Sequence, residues 1–155
     1  MIIADAVLMR GASETARYVE EVALESQQFL NKSFAFGYES VLRGDLPAVW
    51  EECNMPNWDG YDALPVEEST FRNACRFLEF LPFGLPKPSV GAEPDGHITF
   101  EWYQSVRRLL SVSISPDAKL HYAALLGLKR AYGTEVYYQE VPEVILNLIR
   151  QVDAT

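Results

Sequence analysis

The spacing of apolar positions predicts helices in the first half of the chain and at its end. Between residues 13 and 30, apolar side chains recur every three or four positions with acidic ones between them. This pattern indicates an amphipathic helix with Ser13 as its N-cap. A second apolar stripe over 71–81 predicts a helix whose N-cap is Glu67, and a third predicts a C-terminal helix over about 142–153.

The segment 34–53 shows no clear period, and it contains Gly37, Gly44 and Pro47. Glycine weakens a helix, and proline both fixes φ and removes a backbone donor. We therefore predict short helical pieces here, with about one turn of helix on each side of the interruptions.

After residue 82 the apolar period changes to that of a strand, in which alternate residues share a face. Strands are predicted at 89–93, 97–103, 108–115 and 119–127, and the short turns between them specify an antiparallel meander. Residues 134–142 are predicted to add an edge strand. The face predicted to be buried carries Ile98, Phe100, Trp102, Leu110, Val112, Ile114, Leu120, Tyr122 and Ala124. The opposite, serine-rich face is predicted to meet solvent or a partner.

Together these patterns predict an α+β fold in a single domain, 1–155. Helices occupy about 12–82, a four- to five-stranded antiparallel meander occupies about 88–140, and the C-terminal helix packs on one sheet face. The composition agrees, because 48% of the 155 residues are apolar and a domain of this size can bury a substantial core.

Charge is distributed unevenly along the chain. The net charge is −9, and residues 1–70 account for all of it, with thirteen acidic and four basic side chains against nine of each in 71–155. An acidic surface repels phosphate backbones, which argues against direct nucleic-acid binding and suits a basic protein partner. Solubility is the simpler explanation of the same imbalance.

The stretch NMPNWDGYDALPVEEST, residues 54–70, precedes the helix predicted over 71–81. Asp59-Gly60 is a strong turn pair, and the prolines stiffen the chain before the helix begins. Trp58 and Tyr61 supply the large apolar area that would anchor this loop to a core, although recognition loops use the same residue types. The interpretation we favour is a helix-starting loop, with partner recognition as the alternative.

The same loop carries a resemblance to a known family. Asn57-Trp58-Asp59-Gly60-Tyr61, followed by Ala63, Pro65 and Val66, resembles an uncharacterised bacterial family with an N-W-D-G/S-Y-G-A-x-P-I motif. Pro94-Asp95-Gly96 and Phe100-Glu101-Trp102 are similar to that family's later P-x-P-D-G-x-I-x-L-E-W segment. The resemblance covers roughly residues 54–125 and implies a bacterial source without implying any activity. Asp62 departs from it, because the motif has Gly there.

Candidate chemistry is sparse in the sequence. His97 is expected at the surface and His121 on the wet sheet face, and neither lies beside a nucleophile motif. Cys53 and Cys75 show no metal-ligand spacing, and Cys75 falls on an apolar helix stripe. We therefore assign no catalytic residue, no metal ligand and no cofactor.

The carboxylates Asp59 and Glu101 are the best enzymatic candidates, since a facing pair could act as in a glycosidase. An Asx-turn would equally explain Asp59, and a cross-strand ion pair would explain Glu101.

The sequence thus predicts a small bacterial cytoplasmic protein that binds or regulates a protein partner, as antitoxins and immunity proteins do. The N-terminus has no basic signal-peptide region, and no apolar run reaches membrane-spanning length. The alternatives are an enzyme and an acidic nucleic-acid mimic of the anti-restriction or anti-CRISPR kind. The residues predicted to contact the partner are Trp58, Asp59, Tyr61, Glu20, Glu21, Glu101 and His121.

Overall fold

The computed structural model describes residues 17–22 and 38–154. Within them, helices accompany a five-stranded antiparallel sheet, and a C-terminal helix packs on the strands, so the predicted α+β class is confirmed. Of the helix predicted over 13–30, only 17–22 is described, and it is helical (α1). Ser13 and Gly37 lie outside the described residues. No helix in the described ranges combines the length and apolarity needed to cross a membrane.

The segment predicted as short pieces is one uninterrupted helical stretch from residue 39 to residue 53, so that prediction was wrong. A π-helical segment, Val41–Asp45, leads directly into helix α2, Leu46–Cys53. The Leu46 N–H donates to the Val41 carbonyl, five residues back. Pro47, which has no N–H to donate, comes one residue after this wider turn. The wider π-helical turn allows the helix to continue through Gly44 and Pro47, where the sequence predicts a break.

Helix α3, Glu68–Phe80, begins and ends where the sequence predicts. Glu67 is its N-cap residue, and Leu81 is already extended before Pro82. Phe71 and the other residues of the predicted stripe are buried. Phe71 stacks on Trp50 of α2 with 4.3 Å between ring centroids, and Tyr18 of α1 packs edge-on against both rings. Aromatic contacts therefore join the three helices around one core.

The sheet is a meander in which each strand pairs with the next along the chain. Its strands are β1 Ser89–Ala92, β2 Ile98–Ser105, β3 Arg108–Ile114, β4 Lys119–Leu126 and β5 Lys129–Val136. Strand β5 thus begins at Lys129, earlier than the predicted edge strand at 134. The sequence missed this start because polar and apolar side chains do not alternate in the first half of β5.

The predicted buried face is confirmed. Phe100, Val112 and Tyr122 lie side by side in register on β2, β3 and β4. Helix α4, Glu143–Asp153, packs across these three strands, and α3 packs on β2 and β3. Most residues of this face are fully buried, whereas Tyr122 is half-buried towards the β5 edge.

Candidate functional site

The second face of the sheet is the open sheet face, built by the alternate residues that point away from α3 and α4. Glu101 and Tyr103 of β2 are exposed on it, as are Arg130 and Tyr132 of β5. The face has two chemically different ends. The polar end lies at the β1–β2 and β3–β4 turns, and the apolar end lies at the β2–β3 and β4–β5 turns.

At the polar end, Glu93 is held by two hydroxyl groups. Thr99 Oγ1 donates to Glu93 Oε1 at 2.6 Å, and Ser113 Oγ donates to the same oxygen at 2.8 Å. The two hydroxyls are also within 2.9 Å of each other. Thr99 and Ser113 are directly opposite in register on β2 and β3, so the sheet itself sets the position of this carboxylate.

Asp95 and His97 complete an acid–histidine cluster with Glu93. Asp95 Oδ1 accepts the backbone N–H of His97 at 3.0 Å, and Asp95 Oδ2 lies 3.4 Å from His97 Nδ1. One ligand-type atom from each of the three residues lies within 4.8 Å of the other two. All three side chains belong to a single hairpin, the β1–β2 turn and its flanks.

The hairpin that carries this cluster is anchored to the neighbouring loop. Leu64 N–H donates to the Pro94 carbonyl at 2.8 Å. Gly96 has φ +85, and a Cβ at this position would come within 2.8 Å of the Pro65 carbonyl oxygen. Only glycine therefore fits the turn without displacing the backbone against which it packs.

The two histidines of the chain stack on each other. The rings of His97 and His121 are 5.6 Å apart between centroids and inclined by 8°. His121 Nδ1 also lies 3.0 Å from Thr134 Oγ1 on β5. His97 was predicted to be exposed, but only 20% of its side chain is, so that prediction was wrong. The rings can meet because β3, which runs between β2 and β4, presents only small serines here.

The serine-rich face was predicted to meet solvent or a partner, but two of its serines are buried. Ser113 and Ser115 are buried, with 9% and 3% of their surface exposed. Ser113 Oγ donates a hydrogen bond to Glu93, and Ser115 Oγ donates one to the Asp117 carboxylate in the β3–β4 turn. The two buried serines of this face are therefore hydrogen-bonded to carboxylates within the protein.

The apolar end carries large side chains that face solvent. Tyr103 is 58% exposed, and Leu109 and Leu125 continue its row on β3 and β4 as far as Arg130 of β5. Tyr132, which is 81% exposed, lies on the next row beside Ala123. Two further exposed apolar residues sit at the adjacent turns, Val106 and Leu128. Exposed aromatic and apolar side chains grouped in this way are typical of protein contact sites.

The loop 54–66 holds three of the predicted contact residues, and two of them support the loop itself. Asp59 Oδ1 accepts the backbone N–H groups of Tyr61 at 2.8 Å and Ala63 at 3.1 Å, which is an Asx-turn. Trp58 is half-buried against the core, and its Nε1–H donates to the Leu64 carbonyl at 2.8 Å. Tyr61 is different, because 89% of it is exposed.

The remaining predicted contact residues are dispersed. Glu101 and His121 lie on the open sheet face, whereas Glu20 and Glu21 are exposed on α1. Asp59 is engaged by its own loop and Glu101 is exposed in mid-strand. Among the described residues, no hydrogen bond links these two carboxylates, which were the candidates for an enzyme.

Sequence reasoning missed the acid–histidine cluster. Its signal is the spacing Glu93-x-Asp95-x-His97, which places three possible ligands on alternate positions around one hairpin. The two cysteines stay outside this site. Cys75 is buried in α3, and burial raises the pKa of its thiol well above the ordinary range.

Comparison of the chain with protein-family models, with curated proteins and with solved structures finds no match. The function is therefore argued from the geometry of the described residues.

Proposed function

We propose that this chain is a bacterial cytoplasmic protein that binds and regulates a protein partner, in the manner of an antitoxin or immunity protein. The observation that carries the proposal is the open sheet face, whose apolar end presents Tyr103 and Tyr132 to solvent on adjacent rows of the sheet. Helices α3 and α4 bury the other face, and the open sheet face carries most of the exposed side chains of the sheet.

The apolar end suits a protein partner because of its side-chain types. Tyrosine contributes large contact area with few rotatable bonds, and its hydroxyl can find a hydrogen-bond partner on the other protein. Leu109 and Leu125 continue the apolar surface from Tyr103 across β3 and β4, next to the row that carries Tyr132. A contact built on strands also needs little reorganisation when the partner binds.

Charge supports a basic partner. Glu20 and Glu21 are exposed on α1, and the first seventy residues hold the whole net charge of −9. Attraction between oppositely charged surfaces mainly raises the association rate, and salt screens it over about 8–10 Å near physiological ionic strength. Glu101 would supply a polar contact beside the apolar end, and His121 would supply one at the polar end.

The loop 54–66 would contribute through Tyr61 alone. Trp58 and Asp59 are already used in holding the loop, so their part in binding would be indirect. The Asx-turn at Asp59 also gives that carboxylate a structural role, which removes the main support for the enzymatic alternative.

The proposal is tested by capturing partners from the native host with wild-type protein and with three matched variants. Tyr103→Ser with Tyr132→Ser alters the apolar end, Tyr61→Ser alters the loop, and Glu20→Lys with Glu21→Lys reverses charge on α1. All five substitutions are at exposed positions, so each variant should keep its stability within about 0.5 kcal/mol per site.

We expect one protein to be retained by wild type, to be retained less by Tyr61→Ser, and to be lost with the two-tyrosine variant. The charge-reversed variant should bind the same protein with a slower on-rate, and added salt should reduce the difference. Retention by the two-tyrosine variant with loss by Tyr61→Ser would move the contact to the loop. If no protein is retained by wild type more than by any of the three variants, the binding role itself is contradicted.

A further inference from the structure

We propose that Glu93, Asp95 and His97 form a binding site for a divalent transition-metal ion such as Zn²⁺. This site goes beyond the proposed partner binding and rests on a different set of residues. Its three side chains offer two carboxylate oxygens and one imidazole nitrogen, and these atoms lie within 4.8 Å of one another. One nitrogen and two oxygens on a single centre is a ligand set that such ions accept in proteins.

The ligand atoms are supported by other groups in the way that metal ligands usually are. Glu93 uses Oε1 for the hydroxyls of Thr99 and Ser113, and Asp95 uses Oδ1 for the backbone N–H of His97. One oxygen of each carboxylate is thus held by the protein, which leaves Glu93 Oε2 and Asp95 Oδ2 for an ion. Hydrogen bonds of this kind orient metal ligands and reduce the cost of ordering them.

The distances agree with a shared ion. With metal–ligand bonds of about 2.1 Å and tetrahedral angles, two ligand atoms are about 3.4 Å apart. Asp95 Oδ2 and His97 Nδ1 are separated by 3.4 Å. An oxygen of Glu93 lies within 4.8 Å of the ligand atoms of both other residues.

Electrostatics also favours a cation at this place. Glu93 and Asp95 carry two negative charges close together, and within 17–22 and 38–154 no Lys or Arg forms an ion pair with either. A bound divalent ion would neutralise both carboxylates.

His121 provides the internal control. It stacks on His97, but its Nδ1 lies beside Thr134 and it is outside the three-ligand group. These are the only two histidines in the chain, so each can be replaced without others obscuring the result. If His97 is a ligand, its replacement should weaken metal binding and replacement of His121 should not. If the stacked pair acts as a unit, the two replacements should weaken metal binding equally.

The test is isothermal titration calorimetry on the full-length chain, with no histidine tag and after removal of bound metal by a chelator. Zn²⁺, Mn²⁺, Ca²⁺ and Mg²⁺ are titrated into wild type and into His97→Ala, Glu93→Gln, Asp95→Asn and His121→Ala. Circular dichroism checks that each variant is folded. The absorption spectrum of the Co²⁺-loaded wild type gives a second measurement that does not depend on any variant.

We expect one Zn²⁺ per chain, bound at least tenfold more tightly than Ca²⁺ or Mg²⁺. Each of the three ligand variants should lose at least tenfold in affinity, and His121→Ala should stay within about threefold of wild type. Co²⁺ should give the d–d bands of a nitrogen- and oxygen-ligated ion. Absence of Zn²⁺ binding up to about 1 mM, equal affinity in His97→Ala, or equal losses in the two histidine variants would each overturn the assignment.

Discussion

The phenol ring of Tyr122 lies over Gly133 on the neighbouring strand. The two residues are directly opposite in the β4–β5 register, and a Cβ at Gly133 would come within 2.6 Å of the tyrosine hydroxyl oxygen and 2.9 Å of its ring carbon Cζ. The aromatic ring thus covers a position that has no side chain of its own. This pairing explains a glycine in the middle of a strand, where glycine is ordinarily unfavourable.

Gly133→Ala should therefore destabilise the protein, although alanine is normally the better strand residue. The added methyl group would displace Tyr122 from its half-buried place beside the core, at a cost of about 1–2 kcal/mol in the free energy of unfolding. Urea denaturation of wild type and variant measures this difference.

The control is the same substitution in a Tyr122→Ala background. With the ring removed, Gly133→Ala should be neutral or stabilising by about 0.5–1 kcal/mol, because glycine loses more conformational freedom on folding. A reversal of sign between the two backgrounds confirms the contact. The same cost in both backgrounds would show that the two side chains do not interact.

Trp58 and Tyr61 are close in sequence but should differ sharply in their effect on stability. Trp58→Ala should cost about 2–3 kcal/mol, less than a fully buried tryptophan, because the ring is half-buried and loses one hydrogen bond to Leu64. Tyr61→Ala should change stability by less than about 0.5 kcal/mol, since 89% of the residue is exposed. Thermal unfolding of the two variants measures both values. Equal effects would contradict the division of the loop into a supporting and an exposed residue.

Asp62 should be replaceable by glycine without loss of stability. Its φ is +65, a conformation that glycine adopts without the steric cost of a Cβ. We expect Asp62→Gly to stabilise the protein by up to about 1 kcal/mol, and Asp62→Val to destabilise it. Tyr61→Gly, at the adjacent exposed position where φ is not positive, should give no stabilisation in the same urea experiment.

Individual helices and strands show which parts of the fold can be predicted from the sequence. Helix α3 was predicted to within a residue because its stripe and its N-cap are local features. Residues 39–53 were misjudged because a π-helical turn accommodates Pro47, and no simple period indicates such a turn. The fifth strand was placed too late because its pairing with β4, rather than its own alternation, specifies it.

The candidate site was predictable only in part. The sequence placed Glu101 and His121 on the correct sheet face, because side chains in a strand alternate. It could not show that His97 stacks on His121, since that contact depends on the register of three strands and on small serines between the rings. The orientation of Glu93 by Thr99 and Ser113 likewise arises only after the hairpin and β3 are paired.

Asp117 in the β3–β4 turn should make stability depend on pH in the acid range. A hydrogen bond from Ser115 holds the pKa of Asp117 below its ordinary value, and Lys119, whose Nζ lies 3.1 Å from the carboxylate, lowers it further. A carboxyl whose pKa is lower in the folded state stabilises that state above its unfolded pKa, which is about 3.9 for aspartate. This contribution is lost as the pH falls through the folded pKa.

Asp117→Asn should therefore be less stable than wild type near neutral pH, and the difference should shrink as the pH falls below about 4 and vanish once wild-type Asp117 is protonated. Urea unfolding at several pH values measures the difference, with Ser115→Ala as the control that removes the donor and leaves the charge. In that control the acid loss of stability should be smaller than in wild type and should end at a higher pH, because the folded-state pKa of Asp117 is no longer held as low. A difference between Asp117→Asn and wild type that stays constant down to the lowest pH would show that the asparagine alters the turn itself.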